Sequence, residues 1–100
     1  MDNVGSTALV YAASGGKDAV ATQLLQAKAN PNAADNNGDT PLHSAAYYGR
    51  AVLVDVLLQD KANPAAVNKS GKTPAQCAEQ YGHTELAARL RQAASGAASQ

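Results

Sequence analysis

The sequence predicts an all-α repeat solenoid of three stacked helix–turn–helix units. Three observations carry this. The first is a period of 33 residues: Gly5, Gly38 and Gly71 are spaced by it, and so are Thr7, Thr40 and Thr73, Gly16, Gly49 and Gly82, and Leu24, Leu57 and Leu90. Residues 2–34 and 35–67 agree at 16 of 33 positions, far too many for chance, so the period is an internal repeat. The second is composition. There are 23 alanines against nine leucines and seven valines, with no Ile, Phe or Trp. So little large apolar volume cannot surround one broad core, but small side chains let helices pack closely in a quasi-linear stack. The third is punctuation, with Gly, Asn, Asp and Pro recurring at fixed places within each period.

The elements follow from the middle copy. Asp35-Asn36-Asn37-Gly38-Asp39 is a turn cluster. The Thr40 hydroxyl can accept from a free first-turn N–H, and Pro41 stands at the first helical position, where its missing N–H costs nothing. Gly49 ends that helix, because glycine takes the left-handed conformation after a helix without a Cβ clash. Leu53, Val54, Leu57 and Leu58 line one face of a second helix, which Asn63-Pro64 stops. Stepping by 33 predicts first helices near 7–14, 40–48 and 73–81 and second helices near 17–27, 50–60 and 83–92. The repeat domain covers 1–92, as repeats 2–34, 35–67 and 68–92. Residues 93–100 have no periodicity and nothing large to bury, and are expected to be a disordered tail.

The run Gly38-Asp39-Thr40-Pro41-Leu42-His43-Ser44-Ala45-Ala46, followed by Gly49-Arg50, Leu53-Val54 and Leu57-Leu58, resembles an ankyrin repeat. The resemblance extends over residues 2–92. It implies antiparallel helix pairs side by side, joined by loops that project as short β-hairpins, and a module that binds proteins without catalytic machinery. It also implies a structural role for His43, bonded to nearby backbone and threonine groups. It places Lys28 and Lys61 where the family usually carries glycine, so a left-handed backbone is expected there.

Departures from the middle copy mark the ends. Ala46 and Leu58 become Glu79 and Arg91 in the third copy, and Val56 becomes Gln23 in the first. Polar residues at buried-type positions suit terminal repeats, whose outer faces have no neighbour. Only residues 35–67 are then packed on both sides.

Chemistry is hard to place on this chain. Eight Lys and Arg balance eight Asp and Glu, so there is no basic surplus for nucleic acid and none for an anionic membrane. The first residues do not form a secretory signal, and no apolar run reaches a membrane span of ~18 residues. A single cysteine, Cys77, can form neither an internal disulfide nor a zinc site by itself, which favours a reduced, intracellular setting in cytoplasm or nucleus. Cys77 aligns with Ser44 and Tyr11, expected to point inward. His43 and His83 share no metal-ligand spacing with any acid or thiol. Ser44 beside His43 faces ~100° away from it and lacks a nucleophile elbow. Gly15-Gly16-Lys17 and Gly71-Lys72-Thr73 lack the upstream glycine and strand of a phosphate loop. No catalytic, cofactor or metal site is expected.

What remains is surface. Matched residue by residue, the family's groove of first helices and hairpin tips takes in Asn36, Asn37, Asp39, Tyr47, Tyr48, Arg50, Ser70, Lys72 and Tyr81. Three of the four tyrosines fall in this set, and tyrosine and arginine anchor interfaces well. Tyr48 and Tyr81, one period apart, are expected side by side. The expected partner is a protein, with neither nucleic acid nor membrane, and the chain is monomeric alone. The rival reading is a small inhibitor or assembly chaperone that masks a partner's functional site.

Overall fold

The computed structural model describes residues 2–99, with side chains from 8 to 95. Six helices are present among them: α1 (Asp2–Gly15), α2 (Asp18–Gln26), α3 (Pro41–Tyr47), α4 (Ala51–Gln59), α5 (Pro74–Gln80) and α6 (Thr84–Ser99). They form three pairs. First helices pack in the order α1, α3, α5, each second helix lies against its own first helix, and α2 packs on α4.

The caps are those the threonines predict. Thr40 and Thr73 are extended, and each hydroxyl accepts from the backbone N–H three residues on, at His43 and Gln76. The His43 and Gln76 side chains return a bond to the threonine N–H, closing a capping box. Pro41 and Pro74 fix the start of α3 and α5. Ala8 stands at that place in the first copy, and without the proline α1 starts at Asp2 rather than near 7.

The second helices of the first two pairs, α2 and α4, are each followed by a lysine in the left-handed region. Lys28 and Lys61 both have φ +74°. Ala29 N–H donates to Leu24 O and Ala62 N–H to Leu57 O, both at 2.9 Å, while Lys28 N–H donates to Leu25 O and Lys61 N–H to Leu58 O, closing the smaller ring inside. The loops beyond are tight turns; no strand occurs among the described residues. Asp35 Oδ1 accepts from Asn37 N–H and Asp39 N–H, and Asn68 Oδ1 accepts from Ser70 N–H and Lys72 N–H. A side chain thus takes backbone bonds that a partner strand would otherwise take, so the tips close as turns. One backbone bond, Lys69 N–H to Asn37 O at 3.1 Å, joins neighbouring tips.

The core is a strip running the length of the stack. Ala12, Ala13, Ala45, Ala46 and Ala78 are buried on the first helices, alongside Leu9 and Leu42, and Leu53, Leu57, Leu86 and Leu90 fill the layer toward the second helices. Each buried leucine contributes roughly 1.5–3 kcal/mol, and alanine supplies the close approach that makes the burial complete. The C-terminal helix differs from expectation. α6 continues past 92 to Ser99, through the stretch read as a disordered tail. Alanine has the highest helix propensity, and four alanines in 93–98 carry the helix on without burying a large side chain.

Candidate protein-binding surface

Repeat-to-repeat stitching comes from Arg50 and His83, the residues after Gly49 and Gly82. Arg50 Nη2 donates to Ser14 O at 3.1 Å, on the last turn of α1. His83 sits one period later, and its Nε2 lies 3.1 Å from Tyr47 O, on the last turn of α3. Both satisfy helix C-terminal carbonyls, where a cation or ring N–H is favoured. Their side chains lie over the preceding glycines. A Cβ on Gly49 would stand 2.8 Å from the His83 ring, and one on Gly16 would stand 3.1 Å from the Arg50 guanidinium. The period therefore keeps glycine here for space as well as for its φ of about +70°.

His43 joins the middle and third copies from inside. It is fully buried. Thr40 N–H donates to Nδ1 at 3.1 Å, which leaves Nε2 to carry the proton and donate to Lys72 O at 2.8 Å. Ser44 is buried behind it, bonded into no His43 relay. His43 is thus a strut between a helix start and the next tip.

The tyrosines form a connected group. Tyr47 and Tyr81 meet edge to face with ring centroids 4.9 Å apart, and Tyr47 and Tyr48 are tilted at 6.5 Å. Tyr48 and Tyr81 are each 57% exposed. Tyr47, partly buried against the core, contacts both and links them. The Arg50 guanidinium stands 5.8 Å from the Tyr48 ring centre, a cation–π contact. At the other end the Lys72 ammonium donates to Gln80 Oε1, next in sequence to Tyr81.

The tips border this group. Asn36, Asn37 and Ser70 are exposed, and Asp39 is half-buried. Asn68 Nδ2 donates to Asp39 Oδ1 at 2.8 Å. This contact was not foreseen, although a signal for it exists. Asn68 occupies the place of Asp35 one period on, and only the amide can donate to a carboxylate.

Below the tyrosines lies Cys77, fully buried. Burial pushes its thiol up, with hydrogen bonding to Tyr47 acting the other way. Burial likewise raises the Tyr47 phenol, followed by the charges of Cys77 and Asp39. The thiol is inward-facing, like Ser44 one period earlier, but Tyr11 at the same place in α1 is not: it is 72% exposed, since among the described residues no helix covers that side of α1.

Repetition at 33 residues, the two capping boxes and the left-handed lysine turns decide the family. A family model described as ankyrin repeats (3 copies) matches residues 1–67. The chain belongs to the ankyrin-repeat family. No curated protein matches it. The third helix pair lies beyond the matched stretch, yet repeats the middle ankyrin unit in its Thr73 cap, its Pro74 and its glycine conformations. Ankyrin repeats are generally protein–protein interaction modules and typically non-enzymatic. Among the described residues, no three His, Cys, Asp or Glu side chains gather as a metal would require, and no helix is long and apolar enough to cross a membrane.

Proposed function

We propose that this chain is a non-catalytic ankyrin module that binds a partner protein across the face formed by its first helices and loop tips, in a reducing intracellular compartment. The observation that carries the reading is the exposure of Tyr48 and Tyr81 beside a partly buried Tyr47 that contacts both rings. Tyr47 supports both rings from the core side, and Arg50 braces Tyr48. An aromatic side chain ordered before binding loses little entropy when a partner covers it, which is what an anchor needs. Asn36, Asn37, Asp39, Ser70 and Lys72 add polar contacts at the border, where they select more than they bind.

The test is Tyr48→Ala combined with Tyr81→Ala, against Val52→Ala on α4, a side chain 59% exposed and outside the tyrosine group. The fold is expected to survive in both, as judged by circular dichroism and melting. Proteins retained from the source's own lysate are quantified on each variant. The double variant is expected to lose on the order of 2 kcal/mol of partner affinity and Val52→Ala none. Equal retention by all three proteins rejects the surface.

A further inference from the structure

The loop tip of the middle pair carries a covalent chemistry that needs no partner. Asn37 stands directly before Gly38, and no other asparagine of the chain precedes a glycine. We infer that Asn37 is a site of spontaneous deamidation in the folded protein, converted through a cyclic imide to aspartate and isoaspartate, and that the isoaspartate form breaks the seam between the middle and third tips.

Water is the only co-reactant. The Gly38 nitrogen gives its proton to solvent base and attacks Asn37 Cγ. A bond forms from Cγ to the Gly38 nitrogen, the bond from Cγ to the side-chain nitrogen breaks, and that nitrogen takes a proton from solvent and leaves as ammonia. Water then adds to one of the two carbonyls of the ring. Opening at Cγ gives aspartate on an intact backbone. Opening at the main-chain carbonyl gives isoaspartate, whose backbone runs through Cβ and Cγ and is one atom longer.

The tip favours this at Asn37 over the other described asparagines. Asn30, Asn32, Asn63 and Asn68 each hold a backbone N–H with the side-chain oxygen. Asn30 and Asn63 also precede proline, whose nitrogen has no proton to lose. Among the described residues the hydrogen bonds of Asn37 are made by its backbone, so its exposed carboxamide is free to swing onto the next nitrogen. Glycine there has no side chain to bar the approach. Asn36 is exposed as well, but its attacking nitrogen would be that of Asn37, whose N–H donates to the Asp35 carboxylate at 2.9 Å. A carboxylate that holds an N–H resists the anion that its loss would leave.

The Gly38 nitrogen has the opposite surroundings. Lys69 N–H donates to Asn37 O at 3.1 Å, and that oxygen shares the charge once the Gly38 nitrogen is deprotonated. A donor on it stabilises the anion. One bond opposes the attack: Gly38 N–H donates to Asp35 O at 2.9 Å. This acceptor is neutral and the turn lies at the surface, so the bond opens locally without unfolding the stack.

The damage follows from close packing between the tips. A Cβ on Gly38 would stand 2.8 Å from Lys69 N, so a lengthened backbone has no room there. The third copy has Ser70-Gly71 at the same place, and a Cβ on Gly71 would meet nothing within 4 Å. Either product also sets a new carboxylate between Asp35 and Asp39, on the border of the proposed binding face.

The test incubates the native chain, folded and in urea, at two pH values one unit apart near neutrality. Peptide mapping that separates asparagine, aspartate and isoaspartate follows each site. In the folded chain Asn37 is expected to convert while the other asparagines persist, with isoaspartate among the products. The rate should rise about tenfold with the pH unit, as the deprotonated fraction of a group far below its pKa does. It should lie within about a hundredfold of the rate in urea, since only one or two neutral hydrogen bonds must open. A slower folded rate, toward the ~10³-fold or greater penalty of global unfolding, overturns the site. Aspartate without isoaspartate overturns the imide route. Asn37→Ser copies Ser70, so it should fold and accumulate no isoaspartate; accumulation in it overturns the assignment to Asn37. The purified isoaspartate form should melt below Asn37→Asp, which adds the charge without the extra atom. Equal melting overturns the broken seam.

Discussion

The two end faces of the stack are built from the same positions and finish differently. On the α5–α6 face, Gln76, Glu79 and Arg91 are exposed where His43 and Ala46 are buried and Leu58 half-buried in the middle pair, and Glu79 and Arg91 form an ion pair with each other. The α1–α2 face keeps its apolar character. Tyr11 is 72% and Val20 46% exposed, although Ser44 and Cys77, and Leu53 and Leu86, are buried one and two periods later. One end is finished by substitution and the other is finished only at Gln23. Burial at a given repeat position is therefore a property of the neighbour supplied, and the residue adapts to the neighbour at one end only.

The largest expected effect compares one position at two places. Leu53→Ala empties a fully buried site between helix pairs and should cost about 2–4 kcal/mol. Val20→Ala, its counterpart on the open face, should change stability by less than ~0.5 kcal/mol. Urea unfolding measures both. Equal losses would mean that the α1–α2 face is covered in solution.

Thiol labelling probes the same contrast through Cys77 and Tyr11. Native Cys77 should react with a thiol reagent at least ~10²-fold more slowly than Tyr11→Cys placed in a Cys77→Ser background, since only opening of the stack exposes it. The pH dependence has a fixed sign. The folded thiol is raised, so its contribution to stability is full below the unfolded value and is lost as pH rises above about 9. Tyr47, also raised, adds a further loss above about 10. Cys77→Ser should flatten the first part of that alkaline decline.

Much of this architecture is legible in the sequence because it is written in local chemistry. Thr40-Pro41 and Thr73-Pro74 give the start of α3 and α5, and the lysines at a glycine-type position give the left-handed turns at φ +74°. Contacts between repeats are less legible. That Tyr47 would stand under both exposed rings, that Arg50 would reach Ser14, and that Tyr11 would face outward all depend on which neighbour is present. A residue's period position is the same in all three copies, so spacing cannot separate an inner copy from an outer one.

Lysine turns give a control that should ignore the difference between the ends. A non-glycine residue at φ +74° is strained by about 1 kcal/mol. Lys61→Gly and Lys28→Gly should each raise the unfolding free energy by up to about 1 kcal/mol, reduced by the extra freedom glycine gives the unfolded chain. Equal gains would show that the strain is local. A gain at Lys61 alone would show that the first helix pair unfolds before the rest.

The smallest effect on stability carries the sharpest test of the end faces. Glu79→Ala with Arg91→Leu restores at the C-terminal face the residue types that Ala46 and Leu58 present in the middle repeat. The ion pair being removed is about half exposed on both sides, so its loss should cost well under 1 kcal/mol. What changes is what the face can accept. The altered face would match the surface that covers Ser44 and Leu53 inside the stack, and the open α1–α2 face of another molecule, with Tyr11 and Val20 exposed, offers the complementary side. That contact is head-to-tail and does not close, so it should extend into chains of molecules. Sedimentation should find the native protein monomeric and the double variant associating with rising concentration. Adding Val20→Lys to the double variant should abolish the association, since it places a charge at the centre of the receiving face. If the double variant stays monomeric, the ion pair is a surface ornament and the open face is closed to helices by some other means.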